Sequence, residues 1–208
     1  MNFNTPPATA PSIGRWALFA LHWRAKIFLF LGMQTSAKQV FQEVLQCVPK
    51  DLLALNSLGF SAMHEGNFIL ALTYFDQVAD LSVESSNAHF NQAFVCEELG
   101  RLDNAERGFR AAIAIEEKMD RAWYGLGLVL VRQGRLEDAV VALKRNTQLQ
   151  PMSPFGWYQL ARVHMDLKQA NDALLVIRHL QGFEPKVAAQ LERETGLKIG
   201  HVSGGFKN

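Results

Sequence analysis

The residue types that most often carry chemistry are present in this sequence, but their spacing does not assemble a site. Six histidines, His22, His64, His89, His164, His179 and His201, are spread along 208 residues. A zinc site needs two of them one helical turn apart, or a histidine joined to cysteine or carboxylate at ligand spacing. Neither occurs. Cys47 and Cys96 form no C-x-x-C pair and are expected to pack as small apolar side chains, which allows a reducing compartment without requiring one. The carboxylate pairs Glu97-Glu98 and Glu116-Glu117 could serve acid and base steps only by converging on one substrate atom, and neighbours on a helix diverge. There is no glycine-rich phosphate loop with its lysine and no nucleophile elbow, nor the strand pattern that would carry either. The sequence points to a chain that is not an enzyme and calls for no metal or cofactor.

Charge narrows the partners further. The chain carries a net +1, with five cations against two carboxylates over 1–51, four against ten over 52–119 and twelve against eight over 120–208. No segment gathers the basic stripe that phosphate backbones demand, so nucleic acid is not expected as a partner. An acidic middle between mildly basic ends reads first as solvated helix surface, with steering of a charged partner as the alternative.

What organises the chain is a period. The stretch DRAWYGLGLVLVRQGRLEDAVVALKRNTQLQPMS, residues 120–153, recurs with variations every 34 residues, and a period of that size means stacked helix pairs sharing an elongated core. With 49% hydrophobic residues the chain can supply such a core. Trp123, Leu126, Gly127 and Leu130 fall three and four apart, on one face of a first helix, and Gly134 breaks that helix. Ala139, Leu143 and Asn146 form the facing stripe of a second helix, which Pro151 stops. Gly127 and Ala139 carry almost no side chain, so the helices can cross with their backbones close while Trp123 and Leu143 fill the space beside the crossing. Aromatic, Leu, small residue, Leu, Gly, Ala, Leu and Pro at these offsets resemble the tetratricopeptide repeat, in its small bacterial type. The resemblance implies an all-α fold: a right-handed α-solenoid of five helix-turn-helix units with a C-terminal capping helix.

Steps of 34 divide the chain. Residues 1–12 hold three prolines and are expected to be a disordered lead. Residues 13–51 join an apolar segment to a degenerate first unit in the frame 18–51, where Ala25, Gly32, Ala37, Phe41, Val44 and Pro49 take the repeat positions. Arg24 stands there in place of a leucine and weakens the case for the first helix. Four units follow over 52–187, namely 52–85, 86–119, 120–153 and 154–187. In the third, His89 and Gln92 replace aromatic and Leu, and Glu117 replaces the closing proline, so a soft boundary is expected. In the fifth, Lys168 replaces the turn glycine and Pro185 takes the closing position. Residues 188–208 belong to the capping helix and a flexible tail from His201. The helix itself is expected over 186–195, docking Val187, Ala188 and Leu191, leaving Glu192, Arg193 and Glu194 in water and ending at Gly196.

The segment IGRWALFALHWRAKIFLFLGM, residues 13–33, is densely apolar, yet Arg15, Arg24 and Lys26 interrupt it before the roughly 20 clean residues of a membrane span. A signal peptide also fits poorly, because the apolar run from Ile27 to Met33 starts late and is short, although Thr35-Ser36-Ala37 would pass as a cleavage site. Trp16, Phe19, Trp23, Phe28 and Phe30 instead suit a lipid interface beside those cations, or contact with a partner or with the solenoid itself.

In the family, the first helices line a groove. The resemblance implies that positions two, five, six, nine, twelve and thirteen of each unit project into it. They place Phe60, Met63 and His64 there from the second unit, and Phe90, Asn91, Phe94, Glu97 and Glu98 from the third. The fourth unit supplies Arg121, Tyr124, Leu128, Val131 and Arg132, and the fifth Phe155, Tyr158, Arg162 and Met165. Aromatic residues with Arg and Met have the composition of contact sites, with self-filling of the groove as the alternative. Chaperone-binding members hold a C-terminal carboxylate with five set residues. Only Asn91 and Arg121 match that set, while Asn56, Phe60 and Gly125 do not, so such a clamp is not expected. The reading is a non-catalytic adaptor that holds an apolar or amphipathic peptide segment of a partner protein during assembly of a complex, with Phe90, Phe94, Tyr124, Leu128 and Tyr158 expected in one strip. The alternative is a membrane-surface protein, anchored by its N-terminal aromatic and basic segment, that recruits clients. Either reading gives a cytoplasmic chain, at most held at a membrane surface, and leaves open assembly with further copies of itself.

Overall fold

The computed structural model describes residues 13–199, so the expected disordered lead at 1–12 and the tail from His201 lie outside it. The described residues form α1 (Arg15–Phe30), α2 (Gln34–Cys47), α3 (Leu52–His64), α4 (Phe68–Leu81), α5 (Ser86–Glu98), α6 (Leu102–Ile115), α7 (Asp120–Arg132), α8 (Leu136–Leu149), α9 (Pro154–Asp166), α10 (Ala170–Gln181) and α11 (Pro185–Thr195), with no strand among them. The starts of α3, α5, α7 and α9 are separated by 34 residues, as are those of α2, α4, α6, α8 and α10. The chain divides into two compact units, one ending at Gly100 with α1 to α5 and one beginning at Arg101 with α6 to α11. Within each unit every helix packs on its successor in sequence.

The same register positions are buried each time. Ala37, Ala71, Ala105, Ala139 and Ala173 are inaccessible, and so are Phe41, Phe75, Phe109, Leu143 and Ile177 four residues further on. Two of these large side chains press against a glycine of the preceding helix. A Cβ on Gly59 would sit 2.8 Å from Phe75 Cζ, and one on Gly127 would sit 2.8 Å from Leu143 Cγ. Glycine is therefore required at both crossings, because the space that a methyl group would take is already filled.

The turns between paired helices also repeat. Gly32, Gly66, Gly100 and Gly134 have φ of 73, 73, 72 and 76°, a conformation that L side chains resist. Lys168 holds the corresponding place at φ 59°. The turn is nonetheless closed in the same way: Arg135 N donates to Leu130 O at 2.9 Å after Gly134, and Gln169 N donates to His164 O at 2.8 Å after Lys168. Tertiary packing thus forces a lysine into a glycine conformation.

Each departure from the repeat pattern has a local explanation. Arg24 does not enter the core. It turns outward and pairs with Glu43 of α2, while Leu21 and Ala25 pack with Ala37, Phe41 and Val44 to complete the first helix pair. Gln92 donates to Asp76 Oδ1 at 2.8 Å, so an amide bond to α4 replaces the expected leucine contact. The third boundary is not soft, since α6 ends at Ile115, in step with α4 at Leu81 and α8 at Leu149. What holds it is a ring-to-carbonyl bond. Trp123 Nε1 donates to Glu117 O at 2.8 Å and Trp157 Nε1 to Pro151 O at 2.9 Å. His89 Nε2 lies 2.9 Å from Val83 O, so with its proton on Nε2 the imidazole makes the bond that indole makes in the later units. Pro185 opens α11 instead of closing α10, which ends at Gln181. Gly196 caps α11 at φ 72°.

Two stability effects are expected. Gly127→Ala should cost about 1–3 kcal/mol by overpacking, and Leu143→Val in the same chain should relieve part of it. In urea titrations the double variant should then lie at least about 0.5 kcal/mol above the sum of the singles, whereas strict additivity would mean that Leu143 is not what residue 127 meets. Lys168→Gly should raise stability by about 0.5–1 kcal/mol by removing left-handed strain, read as a melting temperature higher by about 2–4 °C.

Candidate functional site

In the first unit, the outer faces of α3 and α5 carry the expected aromatic residues. Phe60 is exposed and its ring meets Phe75 edge-on, with centroids 5.2 Å apart. A pocket of about 280 Å³ lies beside it, lined by Leu29, Lys38, Phe41, Ser57 and His64 among others. Lys38 on its rim pairs with Glu65 at 2.7 Å and holds that carboxyl below its ordinary range, so this rim is neutralised from within. Phe90 and Phe94 stack with centroids 6.4 Å apart, and both are half-buried, as are Met63, Asn91 and Glu97, while Glu98 is exposed.

In the second unit, α7, α9 and α11 build the more developed face. Tyr124, Pro154, Phe155, Tyr158 and Val187 line a pocket of about 340 Å³, and Phe155 is 68% exposed at its mouth. A second pocket, of about 500 Å³, adjoins it across Tyr158 and is lined by Arg162, Met165, Asp166, Glu194 and Thr195. Leu128 and Val131 are half-buried, and Arg121, Arg132 and Arg162 are exposed. Between the pockets the Tyr158 hydroxyl donates to Glu194 Oε2 and the Gln190 amide to Oε1, both at 2.7 Å. The bond from Tyr158 and then that from Gln190 hold the Glu194 carboxyl below its usual range, and the same carboxylate pushes the Tyr158 hydroxyl up. The Arg162 guanidinium lies 5.8 Å from the centre of the Tyr158 ring. Apolar rings, one arginine and a bound carboxylate thus meet on one face.

The positions taken from the family resemblance fall into both units: Phe90 and Phe94 in the first, Tyr124, Leu128 and Tyr158 in the second. Gly125, at a clamp position, has no room for a longer residue, because a Cβ there would lie 2.5 Å from Phe109 Cζ. The contribution of α11 was not foreseen. Glu194 is exposed, as expected, and also accepts a bond from Tyr158, and Val187 and Gln190 join the pocket walls. The one available signal was the expected capping helix itself, since whatever covers the last core also borders the last groove position. On α1, Trp16, Phe19, Trp23 and Phe30 are exposed, but Phe28 packs inward against the first core and does not share their face.

Three histidines make contacts within the fold. His22 pairs with Asp51 at 3.1 Å, buried His164 bonds Gln169 through Nδ1 at 2.7 Å, and the His179 ring lies 4.3 Å from that of Trp157. Cys96 is buried and Cys47 half-buried, and neither is in a disulfide. Among the described residues no group of three or more His, Cys, Asp or Glu could hold a metal ion.

Known proteins share this architecture. A family model for the tetratricopeptide repeat matches residues 98–151. Tetratricopeptide repeat protein 7B of Homo sapiens is 25% identical over 141 residues, 67% of this chain, and the match spans only 17% of that much longer protein. The crystal structure of MamA matches over 88% of this chain and 97% of its own, with a TM-score of 0.76 at 18% identity. That of YrrB, a TPR protein with an unusual peptide-binding site, matches over 81% and 88%, with a TM-score of 0.72 at 15% identity. The 34-residue helix period, the repeated left-handed turns and these matches together give the chain a tetratricopeptide-repeat fold.

Proposed function

We propose that this chain is a non-catalytic scaffold that binds an apolar or amphipathic segment of a partner protein on its first-helix faces and serves the assembly of a complex. The observation that carries the reading is the pair of pockets around Tyr158, where Tyr124, Phe155 and Val187 offer an apolar wall and Arg162 and Glu194 offer charge on the same face. A helix with one apolar stripe and a polar flank would satisfy both halves at once. The peptide-binding site named for YrrB supports the same use of the fold. The stacked Phe90 and Phe94 give the first unit a second contact point, so the units over 52–187 would share the work of recognition. The reading places the protein in the cytoplasm.

The outward face of α1 favours a further contact, with another molecule or with a membrane surface, because its aromatic side chains stand half to nine-tenths exposed. No helix among the described residues is long and apolar enough to cross a membrane, so contact made by this helix would be peripheral.

Affinity capture with the full chain, followed by mass spectrometry, should identify a protein partner, and calorimetry should then compare wild type with Tyr124→Ala/Phe155→Ala and Phe90→Ala/Phe94→Ala. Truncating two aromatic contacts at about 2 kcal/mol each should weaken binding on the order of a hundredfold or more on the face that is used. Melting curves should shift little for Tyr124→Ala/Phe155→Ala, since Phe155 is mostly exposed. Unchanged affinity in both well-folded double variants would remove the first-helix faces from consideration.

A further inference from the structure

α1 is apolar on two opposite sides. Its inner side buries Leu21 and Ala25, with Leu18 and Phe28 packed beside them. Its outer side presents Trp16, Phe19, Trp23, Ile27 and Phe30 at spacings of three and four, 85%, 54%, 52%, 51% and 90% exposed. Trp16, Phe19 and Trp23 form an edge-to-face ladder with centroids 6.3 and 6.1 Å apart. Leu31 and Met33, also exposed, prolong the surface into the turn. The groove residues Phe90, Phe94, Tyr124 and Leu128 are half-buried by comparison, so this stripe is an open surface and not the wall of a cleft. An apolar stripe of this length on a helix that already has a packed side demands cover.

The charges along its edges indicate what kind of cover. Arg15 and Lys26 are eleven residues apart, three helical turns, and so flank the same edge of the stripe. Lys26 Nζ lies 5.8 Å from the Trp23 ring. Arg24 flanks the other edge and is tied to Glu43, and Lys38 is tied to Glu65, while residues 13–42 contain no carboxylate. Indole and phenyl rings bordered by cations, without a single acid, match the interface of a bilayer: rings settle at the headgroup boundary and cations reach the phosphates. A helix of 16 residues is about 24 Å long, short of the roughly 30 Å hydrocarbon layer, so it would lie in the interface and not span it.

We infer that α1 is an interfacial anchor that lays Trp16, Phe19, Trp23, Ile27 and Phe30 into a bilayer surface carrying anionic lipid, with Arg15 and Lys26 at the headgroup phosphates. The inference rests on α1 being a contact surface, as proposed above, and names its occupant. One such helix gives reversible attachment, so the protein would exchange between membrane and solution.

The test uses the full chain with vesicles of phosphatidylcholine alone and of phosphatidylcholine with phosphatidylglycerol, read by cosedimentation and by the blue shift of tryptophan emission. Wild type should bind the anionic vesicles and bind the neutral ones much more weakly. Trp16→Ser/Phe30→Ser, which touches the two most exposed rings, should lower partitioning by at least about tenfold, and Arg15→Gln/Lys26→Gln by about tenfold or more on anionic vesicles only. Circular dichroism should show both variants folded. Failure of wild type to bind anionic vesicles, or binding indifferent to both variants, overturns the proposal. Sedimentation velocity separates the two levels of the argument. Self-association that Trp16→Ser/Phe30→Ser abolishes, in a protein that ignores vesicles, would make the stripe an interface between copies and sink the lipid assignment alone. The absence of both vesicle binding and self-association would sink the lipid assignment and leave a different protein as the occupant of the stripe.

Discussion

Where two paired helices cross, their backbones come so close that one carbon decides whether the crossing can form. Gly59 and Gly127 have no Cβ because Phe75 and Leu143 already occupy the volume it would need. The exchange is local and one-directional: the second helix supplies bulk and the first helix makes room for it. With Ala71 and Ala139 buried one turn before the bulky residue, this constraint fixes the distance between α3 and α4 and between α7 and α8. It also leaves part of the outer face of each first helix open. Those faces carry half-buried Phe94 and Tyr124 and exposed Phe155, while Phe60 rests its ring edge-on against Phe75.

The same constraint explains why so much of the fold was legible in the sequence. Small residues at the crossings and glycine at the turns are demanded by geometry that no neighbour can relax, so Ala25, Gly59, Ala93, Gly127 and Ala161 recur in step and mark the register without help from tertiary detail. What could not be read are the places where another chemistry does the same task. Imidazole at His89 bonds a carbonyl six residues back, as indole does at Trp123 and Trp157, and a ring-to-carbonyl bond holds the segment where Glu117 stands for proline. Arg24 leaves the core because Glu43 lies 19 residues ahead on α2, and Gln92 is satisfied by Asp76 on α4. These partners are remote in sequence and are fixed only once the helices have docked. Lys168 is the opposite case: its departure was visible, but only the backbone shows that the turn kept its left-handed form and placed the strain on the lysine.

The candidate surfaces were less legible, for a related reason. Positional expectation located Tyr124, Phe155, Tyr158 and Arg162, since each follows from the phase of its own helix. It did not locate Val187, Gln190 and Glu194, because α11 begins outside the regular phase and reaches α9 through its own docking. The face is thus composite, half dictated by the repeat and half by the helix that ends it. The Tyr158 to Glu194 bond shows the consequence. Glu194, exposed as expected, is held as a negative group beside Arg162 and gives the apolar pocket a polar edge that the repeat pattern does not encode.

The first and last described helices, α1 and α11, leave different surfaces in water. At the C-terminal end, α11 buries Ala188 and Leu191 and turns Lys186, Arg193 and Glu194 outward, a composition that leaves little apolar surface in water. At the other end, α1 covers the first core with Leu21, Ala25 and Phe28 but keeps Trp16, Phe19, Trp23 and Phe30 on its far side. Were α1 only a cap, polar residues on that side would do as well as they do on α11, and they would lower the risk of aggregation. Aromatic rings held there, edged by Arg15 and Lys26 and by no carboxylate, are what the inferred interfacial anchor would need on its far side.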